Sequence, residues 1–239
     1  MNDNVKELWV YLSETPLLWL TLTLLAYQAG SWIFRRLGSP ALLNPVLTAI
    51  VFLVILLKVS GTDYQTYFRG AQFIHFLLGP ATVALAIPLY REVHAVKSAF
   101  IPIALTLLTG SLTGILSAVG ISFFLGGGKE VLLTVAPKSV TTPIAIGISE
   151  QIGGIPSLTA VIVVLTGIAG SVIGDFVLAK LGIKDEMAYG MALGIASHGV
   201  GTAHAIQKGR VAGAFSALAM ALNGLLTAII LPVITAFLR

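Results

Sequence analysis

The sequence predicts an all-α, polytopic membrane helix bundle with broken helices and an internal structural repeat. Three observations predict it. Hydrophobic residues make up 56% of the 239 positions and charged ones only 10%, against about 25% charged in a typical soluble domain. Apolar runs of spanning length recur with short polar gaps between them, and the mean hydropathy is +0.96. Several of those runs are interrupted by prolines, glycines and hydroxyls, which a plain span avoids. The whole chain, residues 1–239, therefore reads as a single integral membrane domain, with candidate repeat halves at about 1–120 and 121–239.

The charge balance does not point to nucleic acid. The formal charge of +4 comes from lysines and arginines in the gaps between apolar runs, where anchoring and topology explain them. They fall on both sides of the membrane and assign no orientation. With no cysteine, thiolate chemistry and Cys-based metal sites are out. Residues 1–14 have mixed charge and do not read as a removable signal peptide. The expected location is the cell's inner (plasma) membrane, crossed several times.

In chain order, residues 17–34 form a first span, with Trp9, Trp19 and Trp32 toward its ends as interfacial aromatics. Leu37-Gly38-Ser39-Pro40 is a turn, and residues 41–57 are a second span beginning near Asn44-Pro45. Residues 68–90 form a first interrupted span, expected to break at Gly79-Pro80-Ala81-Thr82. Residues 99–125 are long and rich in small side chains, Gly110-Ser111, Thr113-Gly114 and Ser117, which let membrane helices approach closely. The triple glycine before Lys129 lacks the spacing of a phosphate loop. Residues 131–151 are the second interrupted segment, 156–181 another span, 187–206 the third interrupted segment and 211–237 the last span. That makes seven or eight membrane segments, three of them broken.

Shifted by about 120 residues, Gly79-Pro80-Ala81-Thr82 lies over Gly199-Val200-Gly201-Thr202, and Pro16 falls near Pro137. A second echo places Pro80-Ala81-Thr82-Val83 over Pro137-Lys138-Ser139-Val140. Paired interrupted segments point to a transporter binding site, of the elevator or rocking type. An inverted repeat needs an odd number of crossings per half, so four crossings per half would be parallel unless one broken segment is re-entrant.

The chemistry-bearing residues cluster in the breaks. Lys138 and Glu150 are the charges in the second break. A lysine at mid-bilayer costs roughly 2.5–3.5 kcal/mol, so it generally has a task; each of the two could instead sit at the water interface. If Pro143 begins a half-helix, then Ser139, Thr141, Thr142 and the free N–H groups converge on one anion-binding point next to Lys138. His198 and His204 straddle the third break at a spacing that does not suit two metal ligands on one helix face. Proton handling or substrate hydrogen bonding suits them, as does a structural bond to a neighbouring carbonyl, and the same holds for His75. Asp175 could pair with a basic group or carry a coupling proton. Glu150, Asp175, His198 and His204 are thus the candidates for proton or ion coupling. No nucleophile–base–orienter set is present, so no enzyme activity, cofactor or metal is expected.

Three segments carry a resemblance: His75-Phe-Leu-Leu-Gly-Pro-Ala-Thr-Val-Ala-Leu-Ala-Ile-Pro-Leu-Tyr90, Pro137-Lys-Ser-Val-Thr-Thr-Pro-Ile-Ala-Ile-Gly-Ile-Ser-Glu150 and Gly194-Ile-Ala-Ser-His-Gly-Val-Gly-Thr-Ala-His204. They closely resemble the LrgB/CidB family, to which the plant plastidial glycolate/glycerate translocator is related, and the likeness covers nearly the whole chain. It implies two functions. One is transport of small monocarboxylates such as glycolate, glycerate or pyruvate, and the other is antiholin-like modulation of murein hydrolase activity and lysis. It also implies a separate LrgA/CidA-like small membrane partner; a homo-oligomer is compatible with it. On the carrier reading, the half-helix N-termini near Gly79-Pro80 and Pro143, with Thr82, Ser139, Thr141, Thr142 and Lys138, hold the carboxylate. His75, His198, Gly199, Gly201, Thr202 and His204 complete the expected site, holding a hydroxyl or keto group or coupling a proton.

Overall fold

The computed structural model describes residues 15–37, 43, 45–84 and 86–237. Among them every regular element is helical. Trp9, the turn at Ser39-Pro40 and Asn44 lie outside the described residues. The chain divides into two compact units, Met1–Ala84 and Leu85–Arg239.

The N-terminal unit holds α1 (Pro16–Arg36), α2 (Pro45–Ser60) and α3 (Tyr64–Ala84). Small residues let these helices touch. A Cβ on Gly30 would lie 2.9 Å from the Pro45 carbonyl, and one on Gly70 would meet Trp19 Cβ at 2.7 Å. Trp19 is therefore no interfacial anchor. It is fully buried and edge-on to Tyr67, with ring centroids 5.8 Å apart. Trp32 remains exposed, with Arg36 over its ring. The break expected at Gly79-Pro80 is absent, because α3 runs unbroken through Pro80 to Ala84. A proline removes one backbone donor, a loss that membrane helices tolerate. The N-terminus of α3 is instead at Tyr64, where Asp63 accepts from the Gln65 and Thr66 amides.

The C-terminal unit starts with two short helices, α4 (Ala86–Arg91) and α5 (Val93–Ser98). It continues with α6 (Phe100–Phe124), α7 (Lys129–Val135), α8 (Thr142–Ile152), α9 (Pro156–Lys180), α10 (Glu186–Lys208) and α11 (Arg210–Phe237). Among the described residues four helices, α1, α6, α9 and α11, are long and apolar enough to cross a membrane, so the protein is a multi-pass membrane protein. The second and third interrupted segments do break, but neither crosses. Each folds back on itself as a helical hairpin.

The first hairpin is α7–α8. Past Val135 the chain tightens into turns, Lys138 N–H to Val135 O and Val140 N–H to Pro137 O. Thr141 is then extended, and Pro143 opens α8 in its first turn, where its missing N–H costs nothing. Gly153, at φ 90°, ends α8. The returning chain closes the hairpin at its base: the Ile155 amide donates to Thr134 Oγ1 at 2.9 Å. Thr159 Oγ1 donates toward both the Thr134 carbonyl and Ser149 Oγ, at 3.0 and 2.7 Å.

The second hairpin is α10 itself. At His198 the backbone takes φ 41°, ψ −128°, the only positive φ outside glycine among the described residues. The arms 186–197 and 199–208 therefore lie side by side. A Cβ on Gly201 would sit 2.5 Å from the Leu193 carbonyl, and one on Gly209 would sit 2.8 Å from a Glu186 carboxylate oxygen. Glu186 and Gly209 flank the two ends of the helix, so their meeting shows how completely it doubles back. Gly209 alone joins it to α11.

Contacts along α9 set the arrangement. Its first turn meets the base of the first hairpin through Thr159, the tip of the second reaches Val163 one turn further on and Gly167 beyond it, and Asp175 near its end meets that hairpin's base. Over a helix of about 37 Å, the two hairpins thus enter from opposite ends and point their tips at each other. Two successive pairs of long helix and hairpin, α6 with α7–α8 and α9 with α10, have opposite sense. The long helices are both 25 residues and start 56 residues apart, at Phe100 and Pro156. This spacing differs from the first echo, at about 120, and matches the second, Pro80 to Pro137 at 57, to within one residue, although that echo starts on α3 and not on the first long helix. One crossing per pair makes the repeat inverted.

Candidate functional site

The two tips meet near mid-depth. Ser139, at the first tip, faces Gly114 in the middle of α6; a Cβ there would lie 3.4 Å from Ser139 Oγ. Asn223, in the middle of α11, binds both tips with one amide group. Its Nδ2 donates to the Ser139 carbonyl at 3.1 Å and to the Ile195 carbonyl at 3.3 Å. Both partners are carbonyls, so the orientation of the amide follows from chemistry. Asn223 is buried, and its Oδ1 has no hydrogen-bond partner among the described residues. Both return arms begin at the tips, so their unpaired N–H groups and positive dipole ends lie at mid-membrane.

Lys138 occupies the same place. Its Nζ donates to Ser139 Oγ at 3.1 Å, and among the described residues no carboxylate lies within ion-pair distance of it. Its side chain stands between two cavities. One, of about 470 Å³, is lined by Thr106, Thr109, Thr113 and Ser117 of α6 together with Ser139. These α6 residues recur every three or four positions and so share a helix face. The other cavity, of about 440 Å³, is lined mostly by small and apolar residues, among them Ala169, Gly170, Ala192 and Ala196. An uncompensated ammonium with hydroxyls and helix N-termini around it is equipped to hold a small anion.

The other sequence-predicted residues are distributed as follows. Thr141 stands at the N-cap position of α8 without a side-chain bond to its amides, Thr142 and Pro143 form its first turn, and both threonines are half-buried next to the tip. His198 is the second tip. Its Nε2 lies 3.0 Å from the Val163 carbonyl, an acceptor, so Nε2 carries the hydrogen. Gly199 begins the return arm beyond it, 3.9 Å by its virtual Cβ from Met220 Sδ. Gly201 packs on Leu193, and Thr202 is buried with its hydroxyl on Ser216 at 3.0 Å. His204 sits at the base of the hairpin, bonded to Asp175 Oδ2 at 3.1 Å. Glu150 is exposed in the last turn of α8, at the opposite end of that helix from the tip. His75, Gly79, Pro80 and Thr82 lie on α3 of the N-terminal unit, inside a continuous helix with no free N-terminus at that point.

Two features of the site are absent from the residues that the sequence predicts. The α6 hydroxyls look in sequence like packing residues, although their spacing, 106, 109, 113 and 117, is an available signal. Asn223 stands in sequence only as half of an Asn-Gly pair in the last span. A lone carboxamide in an otherwise apolar helix is itself a signal, because polar groups at that depth need partners.

The comparisons with known proteins agree with one another. Residues 23–237 match the LrgB-like family. A Bacillus subtilis protein named "Uncharacterized protein YxaC" is 38% identical over 207 residues, 87% of this chain and 90% of that protein. A second B. subtilis protein, "Uncharacterized protein YwbG", is 36% identical over 92% of this chain and 97% of its own length. "Antiholin-like protein LrgB" of Bacillus cereus is 32% identical over 94% of this chain and 97% of its own. No solved structure matches. A match along nearly the full length, with relatives of the same extent, establishes that the chain belongs to the LrgB-like family.

Proposed function

We propose that the chain is a secondary carrier of small monocarboxylates, such as glycolate, glycerate or pyruvate, in the cell's inner (plasma) membrane, and not an enzyme. The observation that carries this reading is Lys138, an ammonium with no carboxylate partner among the described residues, at the meeting point of two hairpins that enter from opposite sides. The carboxylate pairs with Nζ and takes hydrogen bonds from Ser139, Thr141 and Thr142 and from the free amides of α8. The small-residue cavity behind Lys138 takes the carbon skeleton. Because each hairpin reaches the site from its own side, displacing one or the other exposes the same anion to alternate faces. A separate LrgA/CidA-like small membrane protein works beside it, and a homo-oligomer is compatible with this reading.

A second reading is favoured by a specific observation. The B. cereus relative carries the name "Antiholin-like protein LrgB", and names alone back a modulator of murein hydrolase activity and cell lysis ahead of a carrier. The hairpin geometry supports the first reading instead, since a lesion-forming or lesion-blocking protein has no need of two aligned helix N-termini around a lysine.

Uptake of labelled glycolate or pyruvate into proteoliposomes separates the two. Saturable uptake, abolished by Lys138→Ala and strongly reduced by Thr142→Val, is the carrier result. Unsaturable dye leakage, or no uptake even with the LrgA/CidA-like partner present, overturns it in favour of the lysis modulator.

A further inference from the structure

The two hairpins have one shape but are fastened by different chemistry. The base of the first is held by Thr134, Ser149 and Thr159, all fully buried and uncharged, and the apolar core along it includes Val140, Ala145, Ile148 and Ile152. Water has no access to those bonds, and opening them would strand polar groups in an apolar setting.

The base of the second hairpin is tied to α9 by a single carboxylate, while its tip keeps the His198 bond to the Val163 carbonyl. Asp175 Oδ2 takes His204 Nε2 and Lys208 Nζ, each at 3.1 Å, from one arm, and Oδ1 takes the Tyr189 hydroxyl from the other. Asp175 is 36% exposed, His204 24% and Lys208 50%. Beside them lies a cavity of about 440 Å³, lined in addition by Lys184 and Glu186. Partly exposed ion pairs are worth little and weaken with salt. The tip of this hairpin holds the strained His198 backbone followed by Gly199, and strain of that kind marks places that change conformation.

We propose that hairpin 186–208 is the moving gate of the protein and that Asp175 is its latch, while hairpin 129–152 is a fixed wall. This rests on the carrier reading and adds which of the two barriers opens. Asp175 is a positioning residue here, since it touches the arms and not the solute. Release of its three donors frees the base of both arms from α9 at once and widens the cavity that Ala212 helps to line, a residue otherwise at 0% exposure against Leu193 and Ala205.

The chain has no cysteine, so single reporters are clean. Ala212→Cys reports on the second hairpin and Ala145→Cys, also at 0% exposure, on the first. The purified full-length protein is treated with a water-soluble methanethiosulfonate, with and without Asp175→Asn, which keeps size and shape; Lys208→Gln is the second variant. Labelling of Ala212→Cys should rise about five- to tenfold in either background and rise with ionic strength when Asp175 is intact, while Ala145→Cys labels at an unchanged rate. The latch is overturned if Ala212→Cys is indifferent to both substitutions and to salt, or if Ala145→Cys speeds up equally. Neither result depends on uptake, so failure of the gate and failure of the carrier are told apart.

Discussion

Asn223 and Ser139, 84 positions apart in sequence, are joined by a hydrogen bond of 3.1 Å from the carboxamide to the peptide carbonyl. The second hydrogen of the same NH₂ goes to Ile195. One side chain on a crossing helix thus satisfies two broken backbones that have no neighbours of their own to bond. Asn223→Leu should leave both carbonyls unpaired in a buried setting and cost about 2 kcal/mol. A lowered unfolding midpoint of the detergent-solubilised protein would show it. Asn223→Asp should be at least as damaging, since an ionised carboxylate cannot donate to either carbonyl.

At His198 the ring and the backbone pull in different directions. Replacement by alanine keeps the unfavourable φ and loses the bond to Val163, whereas glycine loses the bond but relieves the backbone. His198→Gly should therefore be more stable than His198→Ala by about 1 kcal/mol. Equal melting temperatures would mean that the turn is not strained.

Close helix contact rests on Gly190 and Gly194, where an added Cβ would collide with the peptide oxygens of Ala212 and Ser216. Gly190→Ala and Gly194→Ala should each cost about 2–3 kcal/mol and reduce the yield of folded protein. Gly120 has nothing within 4 Å, so Gly120→Ala on the same kind of helix should be neutral or stabilising by up to about 1 kcal/mol.

Outside the membrane, the Asp63 carboxyl lies below its ordinary range, chiefly because the Thr66 hydroxyl and then its amide donate to it. A depressed carboxylate favours the folded state above its unfolded pKa, and that contribution disappears as the pH falls through the lower, folded value. Asp63→Ala should flatten the acid side of the stability profile and leave the slope at neutral pH unchanged, as measured by thermal melts between about pH 3 and 7.

Much of this is legible in the residues. Apolar run lengths give α6, α9 and α11 almost to the residue, because a bilayer fixes helix length from outside. Pro137, Pro143 and the glycines around His198 locate both breaks. Their form is not legible: a proline-interrupted segment reads the same whether it crosses or returns, and only long-range pairs such as Thr134 with Ile155 decide between them. Gly79-Pro80 looks like a third break because a proline's local cost is visible in sequence and its tolerance within a membrane helix is not. His204 and Asp175 stand in sequence as separate candidates; their pairing depends on the hairpin doubling back, which no spacing rule foretells.

Gly209 is the one residue between Lys208, which grips Asp175, and Arg210, whose guanidinium pairs with Glu92 at 3.0 Å. A tether this short has no slack. Any swing of the second hairpin's outer arm must be transmitted to the head of the final crossing helix and tug on Glu92, so the motion of one element becomes a lever on the next.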